Sequence, residues 1–173
     1  VHADETEKVN TLINHIQAYL YQKREWNPRW ENAFTPALCN RIDRNTGGIV
    51  IAAKDAETLR ILNEKIRSRE LDKRYLCVTV GRPKQPEGRV ECFLLKDEQK
   101  KQVSVYHRPV PGGKTAVTDY RVLDTRGELS LLEIGLETGR THQIRATMAD
   151  LGCPLLGDGK YGRGDVNRRY GET

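Results

Sequence analysis

Between Tyr75 and Leu136 the chain runs through one strand-like segment after another with no helical period between them, and this succession restricts the fold more than any other feature. The segments are Tyr75 to Val80, Val90 to Leu95, Val103 to Tyr106, Ala116 to Leu123 and Leu129 to Leu136. Each is richer in two-residue alternation than in 3.6-residue spacing and is bounded by Gly, Pro or charged turns. Strands that follow one another directly join as hairpins, whereas parallel strands need crossovers of a dozen or more residues. The expectation is an α+β fold with a largely antiparallel sheet rather than a doubly wound parallel one.

Helices are expected on either side of this block. From Val9 to Tyr21, Leu12, Ile13, Ile16, Tyr19 and Leu20 recur at helical spacing. Tyr21 to Pro36, with Trp26, Pro28, Trp30 and Pro36, reads as irregular loop. The β-branched run Ile49 to Ala53 fits a buried strand, followed by Asp55 as N-cap of a helix whose apolar stripe is Leu59, Leu62 and Ile66. A short helix is expected from Thr141 or His142 to Leu151, with Ile144, Met148 and Leu151 inward and Gly152 with Pro154 as its stop.

The 173 residues show no repeat, low-complexity tract or long linker, so a single domain over 1–173 is expected, large enough to bury a core without disulfides or a structural metal. Cys39, Cys77, Cys92 and Cys153 are scattered without metal-ligand spacing and read as reduced, mostly buried thiols of a cytoplasmic protein. No run approaches the roughly 18 apolar residues of a membrane span. A net charge of +5, from 29 Lys and Arg against 24 Asp and Glu, is a mild bias toward polyanions. Walker, GxGxxG, GxSxG and HExxH motifs are absent.

Two Gly-bounded segments carry strong charges. Asn40 to Gly48 holds Asp43 between Arg41 and Arg44, a carboxylate kept ionised and aimed by guanidinium groups; a structural ion pair in a turn is the commoner use of such spacing. Gly139 to Arg145 places Arg140, His142 and Arg145 about a helix start, where free N–H groups favour an anion such as phosphate. Lys73-Arg74-Tyr75 sets an aromatic ring among cations, as stacking on an unpaired base requires, although a tyrosine so placed is more often a partly buried strand residue. Arg163, Arg168 and Arg169 fit a polar tail.

These segments carry a resemblance. Arg41-Ile42-Asp43-Arg44-Asn45-Thr46-Gly47-Gly48 resembles the R-L-D-x-x-T-S-G motif of the RluA family of pseudouridine synthases. Gly139 to Arg145, read with Leu151 to Gly162, resembles that family's G-R-T-H-Q-I-R and G-x-P-I-x-G-D-x-x-Y-G signature. Lys73 to Gly81 resembles its K-x-Y-x-A-x-V-x-G strand, and Lys114 to Arg121 its K-x-A-x-T-x-Y segment. The departures are Asn40 for a frequent His, Gly47 for Ser, and Thr147 for a common His.

The resemblance spans essentially the whole chain. It implies the pseudouridine synthase fold, a mixed, mainly antiparallel sheet with flanking helices and a central basic cleft, and a fragment lacking the upstream K-P-x-G strand and the final segment. It further implies an isomerase that converts specific uridines of ribosomal large-subunit or transfer RNA to pseudouridine, with no cofactor and no metal. Asp43 is then the catalytic aspartate, Arg145 its partner, Tyr75 the ring that stacks on the base, and Ile144 a residue packed against uracil. Arg41 takes the place of the extruded nucleotide, while Lys73, Arg140 and His142 contact the RNA backbone or cleft. RNA is the expected partner, with no membrane, no obligate protein partner and a monomeric state. Two rivals are a non-catalytic RNA-binding or RNA-folding module and a glycosidase pairing Asp43 with Glu133 or Glu137.

Overall fold

The computed structural model describes residues 9–30, 32–43 and 45–171. The chain divides into two compact units, Val1–Leu71 and Asp72–Thr173.

In the first unit, helix α1 spans Leu12–Gln22 and is capped by Thr11, whose hydroxyl accepts from the Asn14 N–H. It begins three residues after the expected start, because a side-chain cap at Thr11 satisfies an otherwise orphaned donor. The loop expected after it is present up to strand β1, Ala37–Leu38, which pairs antiparallel with β2, Ala52–Ala53. The run expected as a buried strand over Ile49 to Ala53 is therefore mostly not one. Only its last two residues pair, Ile49 is 83% exposed, and Ala53 alone is buried. A partner strand of two residues cannot cover five. Helix α2, Ala56–Arg67, follows with Asp55 as its cap, accepting from the Thr58 N–H at 2.7 Å, and Leu59, Leu62 and Ile66 are half-buried as the stripe requires.

The second unit is built on a five-stranded sheet: β3 (Arg74–Val80), β4 (Glu87–Asp97), β5 (Gln102–Tyr106), β6 (Lys114–Arg126) and β7 (Leu129–Leu136), in the order β3-β7-β6-β4-β5. Every pairing is antiparallel. All five expected strands form, and the α+β class is confirmed. Register sets one face: Tyr75 opposes Ile134, Cys77 opposes Leu132, and Ile134 opposes Tyr120 across the sheet. Gly88 opposite Tyr120 leaves room for that ring, since a Cβ there would meet the phenol.

Helix α3, Gln143–Asp150, lies on this face. Ala146 joins Cys92, Leu94, Val103 and Ala116, while Met148 joins Tyr120, Leu132, Ile134 and Cys153. Fully burying side chains such as Leu132, Ile134 and Met148 contributes roughly 1.5–3 kcal/mol each. The inward stripe is thus Gln143, Ala146, Thr147 and Met148, with Ile144 half-buried and Leu151 at the surface, a rotation from the expected Ile144, Met148 and Leu151. The helix stops as expected. Gly152 (φ 79°) donates to the Ala149 carbonyl and Cys153 to that of Met148, the paired bonds of a left-handed C-terminal cap.

Helix α4, Gly164–Arg169, was not expected within the basic stretch read as a tail. Val166 and Asn167 are buried, so this segment is packed structure. All four cysteines are free thiols, with Cys92 and Cys153 buried. Among the described residues no helix is long and apolar enough to cross a membrane.

Candidate active site

In the first unit, Arg41 and Asp43 lie on one loop. Its neck is closed by Asn40, whose side-chain amide donates to the Ile49 carbonyl at 3.2 Å and accepts from the Ile51 N–H at 2.8 Å. The Cys39 N–H donates to the Ile51 carbonyl at 2.8 Å beside it. Inside the loop the Thr46 N–H donates to the Asp43 carbonyl at 3.0 Å, closing a turn that leaves Asp43 half-buried and Arg41 exposed. Gly48 (φ 146°) supplies the backbone conformation from which the chain leaves the turn, one that an L side chain rarely adopts. Arg44 lies outside the described residues.

Lys73, Tyr75, Arg140, His142, Ile144 and Arg145 lie in the second unit. Tyr75 on β3 and Ile144 on α3 are both half-buried and pack against the same cluster of Leu132, Ile134 and Met148. Strand register places the ring and sheet–helix packing places the isoleucine.

Gln143 ties the loop before α3 to the sheet. Its amide nitrogen donates to the Val117 carbonyl (3.0 Å) and the Thr118 hydroxyl (2.9 Å), and its oxygen accepts from the Thr138 hydroxyl (2.8 Å) and the Arg140 N–H (3.0 Å). The Thr138 hydroxyl in turn accepts from the Val117 N–H. His142 then takes a left-handed backbone (φ 52°) at the helix cap.

The cations expected to gather at the start of α3 go elsewhere in part. Arg140 donates from Nε to the Thr115 carbonyl at 2.9 Å. Arg145 donates from Nε and Nη2 to the two oxygens of Asp158, each at 2.8 Å. Its guanidinium also lies over the Tyr161 ring, 5.2 Å from the centroid. Tyr161 Oη accepts from the Val103 N–H at 2.7 Å and is hydrogen-bonded to His142 Nδ1 at 2.9 Å. Burial alone would raise the Asp158 carboxyl. The hydrogen bonds and charge of Arg145 and the N–H groups of Lys160 and Tyr161 outweigh it and hold the carboxyl below its usual range.

The opposite face of the sheet is a lattice of ion pairs. Glu133 accepts from Arg74 and Arg121, and Arg89 donates to Glu91, Asp119 and Glu137. Glu133 and Glu137 are committed there. None of Tyr75, Ile144 or Arg145 lines the open depression on this side, which is bordered by Arg74, Glu87, Asp119, Tyr120, Arg121 and Glu133. Among the described residues no group of His, Cys, Asp and Glu could hold a metal ion.

Residues 7–150 match the family model described as RNA pseudouridylate synthase. The chain belongs to that family. A relative in Borreliella burgdorferi, ribosomal large subunit pseudouridine synthase D, is 38% identical over 95% of this chain and 48% of its own length. An uncharacterized RNA pseudouridine synthase of Chloroflexus aurantiacus is 40% identical over 73% of this chain and 39% of its own. In structure, the human RNA pseudouridylate synthase domain containing 4 protein superposes with a TM-score of 0.70 at 27% identity, covering 89% of this chain and 60% of that one. This chain therefore spans about half the length of the curated relatives it matches.

Gln143 and Asp158 were missed by reasoning from sequence. Asp158 sits inside the Leu151 to Gly162 match, in the run Gly157-Asp158-Gly159-Lys160-Tyr161-Gly162, and that motif is the signal for it.

Proposed function

We propose that the chain carries the catalytic domain of an RNA pseudouridine synthase, which isomerises uridines in structured ribosomal large-subunit or transfer RNA. The observation that carries this reading is that Asp43, Tyr75 and Arg145 all lie within the span matched by the family model. The protein works in the cytoplasm as a monomer, with RNA as its partner.

The reaction breaks the N1–C1′ bond, turns the base and joins C5 to C1′. Substrate and product have the same atoms and oxidation state, so the conversion itself calls for no redox cofactor. What it calls for is a carboxylate, acting either as nucleophile on C1′ or as base on the C2′ proton. Asp43 takes this part, on a loop whose neck Asn40 holds. Tyr75 stacks on the base and assists loss of the C5 proton, Ile144 lies against the uracil, and Arg145 meets the carboxylate. Arg41 fills the gap left when the nucleotide turns out of its helix, a step that costs a few kcal/mol. Lys73, Arg140 and His142 contact the RNA backbone or line the cleft. The glycosidase reading loses support, because Glu133 and Glu137 are held by arginines on the sheet face away from α3.

Tritium release from RNA carrying 5-tritiated uridine tests the proposal. Wild-type chain should release tritium, and Asp43→Asn should release none while binding RNA within about twofold of wild type, since phosphate contacts dominate affinity. Release by Asp43→Asn would remove Asp43 from the chemistry.

A further inference from the structure

We propose that Asp158 is a positioning residue, which fixes the guanidinium of Arg145 in the one orientation that its part in the reaction requires. This rests on the reading of Arg145 given above and deepens it.

The Asp158 side chain is 3% exposed, against 26% for Arg145. Its carboxylate accepts four hydrogen bonds: Arg145 Nε and Nη2, the Lys160 N–H at 2.8 Å and the Tyr161 N–H at 3.0 Å. The loop that presents it is itself over-determined. Asn167 on α4 accepts from the Gly157 N–H at 2.9 Å and donates to the Asp158 carbonyl at 3.3 Å, and that carbonyl also accepts from the Gly162 N–H at 2.9 Å. A Cβ at Gly162 would collide with the same carbonyl, so the close return of the chain requires glycine. Below the guanidinium, the Tyr161 ring is fixed through its hydroxyl by Val103 and His142.

Removing a carboxylate from water costs several kcal/mol, and its attraction to an arginine only roughly offsets this, so an apolar pair would hold the loop to the sheet as well. What an apolar pair cannot do is orient a guanidinium. A free arginine side chain samples many rotamers. Here the bidentate contact uses the Nε and Nη2 edge, leaving the Nη1 end of the planar fork outside the Asp158 contact. Asp158 also balances the charge of Arg145.

The test is steady-state kinetics of the full chain on tritiated RNA, with Asp158→Asn and Asp158→Glu, each checked for folding by circular dichroism. Asp158→Asn should lower kcat about 100-fold, the cost of a misplacement near 1 Å, with KM within about threefold. Asp158→Glu keeps the charge but moves the fork, so kcat should fall with KM in the same range. Folded Asp158→Asn with wild-type kcat, or a change in KM alone, overturns the proposal. Loss of fold in both variants also overturns it, assigning the pair to stability. A wild-type chain without activity would instead sink the functional reading beneath it.

Discussion

Gln143 is a neutral side chain that uses both ends of its amide, and its burial explains why residue patterns alone mislocate the inner face of α3. A hydrophobicity pattern places glutamine outward and isoleucine inward. With four hydrogen bonds satisfied, Gln143 can be buried at little net cost, and Ile144 turns toward the side where Tyr75 lies. Gln143→Leu should leave the Arg140 N–H, the Val117 carbonyl and two hydroxyls short of a partner, at about 1–3 kcal/mol for each buried group left unmet. Urea titration should show the apparent stability reduced by about 2 kcal/mol or more; a loss under about 0.5 kcal/mol would mean that water replaces the amide. Asp158 sets an acid limit on stability. Its folded carboxyl lies below the ordinary 3.8, so its contribution is complete above that value and lost as pH falls through the depressed one. Acid titration followed by circular dichroism should therefore show wild type losing stability more steeply below about pH 4 than Asp158→Asn.

At the level of elements, the chain announces what depends on local chemistry. The caps at Asp55 and Gly152 and the alternating strands of the second unit are readable because each rests on residues adjacent in sequence. Elements that depend on distant partners are not. Ile49 to Ala53 has the composition of a buried strand, yet its pairing is limited by β1, two residues long and without a signal of its own. Helix α4 is concealed by arginines, although buried Val166 and Asn167 give it a structural task in holding the loop at Asp158. The motifs around Asp43 and Arg145 were legible as resemblance, whereas the contacts that hold them, through Asn40 and Asp158, appear only in three dimensions. Asn40 tests the first of these. Asn40→Ala removes two hydrogen bonds at the loop neck, each worth about 1 kcal/mol. Tritium-release kinetics should show kcat reduced about tenfold or more, with KM for RNA changed less than threefold; unchanged kcat would show that the loop holds its shape without this staple.

For the molecule as a whole, the proposed interaction with RNA would, at a modest charge of +5, depend on a few phosphate contacts. Filter binding should show affinity falling about 10- to 50-fold between roughly 50 and 200 mM salt, as two to three such contacts give. Affinity insensitive to salt over that range would argue for recognition through bases and shape instead.

The ion-pair lattice bears on how that encounter begins. On the sheet face away from α3, Arg74, Arg89 and Arg121 are outnumbered by Glu87, Glu91, Asp119, Glu133 and Glu137, so the positive excess of the chain resides on its other residues. A polyanion drifting toward the second unit is turned away on that side, so that collisions are sorted by orientation before any contact forms.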